Sequence, residues 1–490
     1  MSAFDELKPY LVKARKLHYL SSILNYDLST CTPLDALDEE TELLLDQINE
    51  QARQFADPAF IALLKKVQEE EKENPMIQKL CKSLLKESEF LSRIDLKQYE
   101  AWNQAYQEST NAWRAAREDG NYQTWLPAFK KCVEAKREWA RLKQDETTNT
   151  LYDACLESYE PGLREGEVNR IFAPLKAFLL ENLPKVIAKQ NKEPILKMHS
   201  EVEQEELAYR MLEHIRYDLN KGALRVSEHP FSDALSRNDA RITTHYYEED
   251  WRSSLYSVIH EGGHALEFMN WSSEMYQNFV ENMATAAICE THSRFYENLI
   301  GRSKVFTKLI LKDLQETLRG ELNKYTAEDV YRAVNFVKPD FIRTEADEFT
   351  YSLHIIIRYE IERDLINGVI ECEDIPALWK KKYKEYLGVD VQNDAQGCMQ
   401  DIHWSDASIG YFPSYALGNL YGAQILHKMK QELNINELVS SDQIEKINRW
   451  FAEKDFAYDW MDPNDWLMQV TGEPLNVQYF LDYLREKYLA

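Results

Sequence analysis

Apolar residues recur every three to four positions over long stretches of this chain, a period that predicts helices rather than strands. Amphipathic helices are predicted over Ser2 to Leu24, Glu40 to Phe55, Pro75 to Glu118 and Thr124 to Gln144. A further helical region follows the Tyr159-Glu160-Pro161-Gly162 turn and extends to about Asn191. Trp102, Trp113 and Trp125 read as packing residues, and the charges on Pro75 to Glu118 as a solvated face. The pattern changes between Gly222 and Glu249. After a break at His229-Pro230-Phe231, the segment Ala240 to Tyr247 is dense in β-branched and aromatic residues, which predicts a strand. Directly behind it a helix is predicted from Trp251 to about Met269, with Leu255, Ile259, Leu266 and Met269 near helical spacing. The segment Glu281 to Ile300 reads as the next helix. Thr344 is placed as the cap of another that runs to about Asn367, with Gly368 as its stop.

Composition agrees with a mostly α protein, since 15 Gly and 15 Pro in 490 residues leave few tight turns. No flexible linker or internal repeat divides the chain. One domain, 1–490, is expected, with an N-terminal helical part over about 1–220 and an active-site part over about 221–490. The net charge of −25 and the absence of a basic run exclude a nucleic-acid binder. No apolar run approaches 18 residues, so no membrane span is expected. Seven cysteines without a C-x-x-C pair read as reduced thiols. Met1-Ser-Ala-Phe-Asp-Glu lacks the basic and apolar regions of a signal peptide, which points to the cytoplasm.

Chemistry enters at His260-Glu261-Gly262-Gly263-His264. On a helix, positions i and i+4 stack on one face, so two imidazoles can hold one zinc ion while the intervening carboxylate reaches a water. This pattern names metal-assisted hydrolysis of a peptide bond. Each glycine costs about 1 kcal/mol relative to alanine in a helix interior, a cost that close approach of another backbone, or room for substrate, would explain. The third ligand is sought among Glu267, Glu274, Glu281, Glu290 and Glu297. Glu267 reaches the ion only with strain. Glu290 is chosen because Met283, Ala286 and Ala287 share its face and small residues let two helices approach. Cys289 beside it reads as a core thiol rather than a soft ligand. An exposed edge on the predicted strand would pair with an extended peptide. Asp347, Tyr351, His354 and Arg358 form a polar stripe that reads as a cleft wall. Gly397 to Trp404 and Gly410 to Tyr415 supply His and Tyr donors suited to a tetrahedral oxyanion.

Several motifs in order resemble the carboxypeptidase Taq family, metallocarboxypeptidases with a His-Glu-x-x-His helix. They are His229-Pro230-Phe231, Asp239-Ala240-Arg241-Ile242-Thr243, Ile342-Arg343-Thr344-Glu345-Ala346-Asp347 and Gly397 to Trp404, with the Arg358-Tyr359-Glu360-Ile361-Glu362 run. The resemblance implies a mostly α, saddle-like fold with a deep central groove and a small β-sheet beside the zinc helix, similar to neurolysin and angiotensin-converting enzyme. It implies a homodimer that trims single residues, with broad specificity, from peptides with a free C-terminus. Zinc, with Co²⁺ or Mn²⁺ as substitutes, would be held by His260, His264 and Glu290, with Glu261 as general base. His403 and Tyr415 would assist the transition state, Arg343 or Arg358 would bind the terminal carboxylate, and His229 and Arg241 would line the groove. Two departures stand out: Cys289-Glu290-Thr291-His292 replaces the usual His-Glu-Ser-Gln, and Asp406 stands where glycine is common. The rival readings are an oligopeptidase cutting within short peptides and a catalytically silent peptide-binding protein.

Overall fold

Helices dominate the computed structural model, which describes residues 2–190, 199–318 and 322–490. The first helix, Ala3–Thr30, opens on a reciprocal cap between Ser2 and Asp5 and runs nearly two turns past its predicted end. The second and fourth predicted helices are Leu37–Ala56 and Tyr122–Lys143. The predicted span Pro75 to Glu118 is instead two helices, Pro75–Leu91 and Leu96–Asp119. Asp95 is extended and its carboxylate accepts from Lys97 N, so the chain starts a new helix there. The next region is Glu165–Lys189, and Asn191 lies outside the described residues. Trp102, Trp113 and Trp125 are buried, as packing residues should be. Among the described residues no helix is long and apolar enough to cross a membrane.

The described residues form a single sheet of three strands, β1 Leu224–Val226, β2 Ser232–Ser236 and β3 Asp239–Thr244, in the order β1-β3-β2. The predicted strand is therefore the central one, parallel to β1 and antiparallel to β2. Both of its ladders are filled, so the expected free edge for a peptide is not there. Strand alternation sorts its two faces. Ser232 shares a face with Ile242 and reaches Glu261, whereas Asp233 shares a face with Arg241 and reaches Ser22 of the first helix.

The helix behind the sheet is Trp251–Met269, as its periodicity predicted. The following one is shorter than expected: Thr285 caps Ala286–Arg294, which then widens into a π-type turn, Phe295–Gly301. Asp347, not Thr344, caps the later helix, Glu348–Ile366, because the Asp347 carboxylate accepts from Thr350 N; Gly368 ends it at φ 74°. Helix Phe412–Lys430 is buried along most of its length and packs most closely against Ala286–Arg294. These elements share one apolar core.

Candidate active site

Close approach of backbones builds the site. A Cβ on Gly263 would stand 2.8 Å from Ser293 Cα and 3.0 Å from His292 O, so only glycine lets helix Trp251–Met269 lie this near Ala286–Arg294. Gly418 of Phe412–Lys430 does the same from the far side, its added Cβ falling 2.8 Å from Glu290 C and Cβ. Pressed between them, Glu290 turns its carboxylate to the two histidines. Its Oε2 is 3.7 Å from His260 Nε2 and its Oε1 is 3.9 Å from His264 Nε2. Among the described residues these three form the one group of His, Cys, Asp or Glu whose ligand atoms all lie within 4.8 Å of one another.

The donor set fits a divalent metal. Bonds of roughly 2.0 Å in a tetrahedron need ligand atoms about 3.3 Å apart, closer than the 3.7 and 3.9 Å seen here. Two imidazole nitrogens and one carboxylate oxygen are the set a hydrolytic zinc site uses. His260 Nδ1 lies 2.9 Å from Glu297 Oε2, which places its proton there and leaves Nε2 free to ligate. Burial alone would raise Glu297. Arg294, His260 and Arg302 outweigh it and hold the carboxyl well below its usual range. Burial, with the nearby His260, keeps His264 far below the usual imidazole range, hence neutral and fit to bind a cation. Glu261 is buried beside the cluster. Burial pushes its carboxyl up to about 7, with Glu290 adding to the effect against His260.

The other weighed carboxylates are engaged elsewhere. Glu267 is fully buried against His292, Glu274 is exposed, and Glu281 pairs with Arg15 at 2.5 Å. Glu297 is not among the metal donors; it orients one. Cys289 Sγ donates to Glu267 Oε1 at 3.5 Å, so the thiol is committed away from the three-residue cluster.

The polar stripe, read as a cleft wall, is largely buried: Tyr351, His354 and Arg358 are all enclosed, and Asp347 is half-buried. Asp401 organises it. Arg343 Nε donates to Asp401 Oδ1 at 2.8 Å and Arg358 Nε to Asp401 Oδ2 at 2.7 Å. Burial would raise Asp401, but the two guanidiniums outweigh it and hold its carboxyl well below the usual range. Arg358 is completely enclosed and its other nitrogens donate to His354 O, Tyr383 Oη and Gln400 Oε1. Arg343 differs. Its Nη1 donates to Tyr351 Oη at 3.0 Å, while Nη2 makes no hydrogen bond among the described residues and is not sealed from solvent. The Arg343 guanidinium lies 4.8 Å from the Tyr415 ring centre. His403 Nε2 and Tyr415 Oη are 3.2 Å apart, so the two predicted transition-state groups do meet. Burial, then Arg343, lowers His403 to about 3, leaving it neutral.

His229 is more than half exposed, within electrostatic reach of Arg343 and Asp401. Arg241 is not brought to the metal cluster. It pairs with Asp239 through two 2.9 Å bonds, sits over the Tyr26 ring, and lines a cavity of about 750 Å³ between the first helix and the sheet. Asp406 accepts from Ser408 N, and Ala407 behind it takes φ 62°. Sequence reasoning missed Asp401 as organiser and the Arg294 and Arg302 clamp on Glu297. Its one usable signal was spacing, since Glu290, Arg294 and Glu297 fall at i, i+4 and i+7.

The sequence pattern of the carboxypeptidase Taq (M32) metallopeptidases matches residues 6–488. The chain is 33% identical to carboxypeptidase 1 of Bacillus subtilis (strain 168), covering 99% of this chain and 97% of that one. It is 31% identical to thermostable carboxypeptidase 1 of Pyrococcus furiosus, covering 99% of each. Metallocarboxypeptidase 1 of Trypanosoma cruzi superposes with a TM-score of 0.94 at 28% identity, covering 100% of this chain and 99% of that one.

Proposed function

Because the chain belongs to the carboxypeptidase Taq (M32) metallopeptidase family and is a metallocarboxypeptidase, we propose that it removes single residues from peptides with a free C-terminus at the His260, His264 and Glu290 cluster. The observation that carries this reading is the convergence of those three ligand atoms beside a buried Glu261. Zinc is the metal the donor set favours, and when bound it supplies Lewis-acid polarisation and a nucleophile at neutral pH. Glu261, buried beside the cluster, takes a proton from the attacking water and returns it to the leaving amine. Tyr415 and neutral His403 supply polar contacts to the oxyanion. Arg343 receives the substrate's terminal carboxylate on Nη2, and that contact makes the enzyme an exopeptidase. Arg358 has no donor left and acts through Asp401 as a positioning residue. His229 lines the approach, and Arg241 takes no part at the bond cleaved. The family resemblance also supports a homodimer, and seven unpaired cysteines support the cytoplasm.

The test is a peptide and its C-terminal amide, each incubated with purified protein with and without chelator and read by mass. Loss of one residue from the free acid much faster than from the amide, both abolished by chelator, is expected. Arg343→Ala should lower kcat/KM for the free acid about 100-fold and leave the amide's slow turnover nearly unchanged. Cleavage of acid and amide at equal rates would overturn the exopeptidase reading.

A further inference from the structure

Behind the metal cluster lies a second group of charges that the reaction does not use. His292, two residues past Glu290 on the same helix, is wholly enclosed. Its Nδ1 lies 2.6 Å from Glu267 Oε2 and its Nε2 lies 2.8 Å from Asp455 Oδ1. Phe451, Phe456 and Trp466 present their rings nearly perpendicular to the imidazole, and Trp466 Nε1 donates to the same Asp455 oxygen at 3.3 Å. Glu267 stands three residues past His264 on helix Trp251–Met269. One imidazole thus joins the helix carrying both histidines, the helix carrying Glu290, and the segment that follows helix Ile444–Lys454.

A buried charge triad is a poor source of stability, because desolvation cancels most of the attraction, and packed apolar side chains hold two helices as firmly. Its advantage is direction: each hydrogen bond accepts one register and rejects a slip. The helices come closest at this level. The Cβ that Gly263 lacks would meet His292 O and Ser293 Cα, next door to His264. Any slide of one helix along the other therefore changes the 3.9 Å separation of His264 Nε2 and Glu290 Oε1.

We infer that His292, clamped between Glu267 and Asp455, is a positioning residue that holds the two ligand-bearing helices in the register the metal requires. This rests on the metal-site reading above. Zinc affinity, measured by competition with a chromophoric chelator, and the unfolding midpoint of the chelated protein separate register from stability. His292→Gln and Asp455→Asn should each weaken zinc binding about tenfold or more. Leu80→Ala, in the separate apolar cluster of the N-terminal helices, should lower the midpoint and leave zinc affinity as in wild type. Should His292→Gln fail to fold, Asp455→Asn keeps the volume and an acceptor for Nε2 and carries the test. Wild-type zinc affinity in a folded His292 or Asp455 variant would overturn the inference. Absence of zinc binding by the wild type would instead remove the metal site, and this proposal with it.

Discussion

Glu160 is enclosed by the helices around the metal cluster, with Oε1 accepting from Ala287 N at 2.6 Å and Ser414 Oγ at 2.8 Å. Its Oε2 accepts no hydrogen bond within 3.5 Å among the described residues, and burial pushes the carboxyl up from 4.5 to about 7 against the opposing pull of Thr285, Ser414 and Ala287 N. The folded chain therefore keeps a proton that the unfolded chain gives up. That stabilisation is complete below the unfolded value and is lost as pH rises through the folded one, on the order of 3 kcal/mol by pH 8. Glu160→Gln keeps Oε1 and puts a neutral amide where the proton sits. It should match wild type in denaturant unfolding near pH 5 and exceed it at pH 8; an equal margin at both would show that Glu160 is ionised throughout. The arginines teach a related lesson. Residue type alone nominated Arg343 and Arg358 equally, because what separates them is which donors are already spent. Asp401 decides that from 58 and 43 residues away, and no local pattern carries such a distance.

At the scale of elements, the site depends on how near two helices can lie. Gly263 and Gly262 are neighbours with different burdens. A Cβ at Gly263 meets backbone, whereas one at Gly262 meets Ile215 Cδ1, the tip of a side chain that can rotate away. Overpacking against backbone costs about 1–3 kcal/mol, of which helix propensity returns about 1. Gly263→Ala should therefore lose zinc affinity in a competition titration and also lower the thermal midpoint. Gly262→Ala should keep zinc affinity, and equal losses from both would refute the close-approach argument. The helix that bears the histidines was legible to its last residue, since amphipathic periodicity over Trp251–Met269 is a local signal. The Glu290 choice followed from the same signal, small residues sharing its face. Boundaries set by caps were harder: Asp95 split one predicted helix and Asp347 displaced Thr344, each through a single carboxylate turning to a backbone N–H. The sheet was least legible. β1 has three residues, and whether β3 is an edge depends on a partner that no property of β3 reveals.

For the molecule as a whole, the question is whether the metal assembles the site or enters one already assembled. Small metal domains unfold when stripped, because the ion stands in for a core they lack. Here one apolar core runs through the helices that carry the ligands, and protein contacts already hold His260 and Glu290. Glu297 orients His260, Gly418 seats Glu290, and Gly263 sets the helix spacing. The balance of positive and negative groups around the cluster is likewise local, since the net charge of −25 is screened beyond about 8 Å at physiological salt, and the carboxylate contact proposed for Arg343 acts within that range. Chelation should therefore abolish residue release and leave the far-ultraviolet circular dichroism unchanged. The thermal midpoint should fall only by a few degrees, because binding at 1,000 times Kd adds about 4 kcal/mol of stability and the unfolding entropy of so long a chain is large. Activity should return when zinc is restored, without a refolding step. Collapse of the dichroism on chelation would show instead that the ion builds the core, and the preformed ligand geometry would lose its meaning.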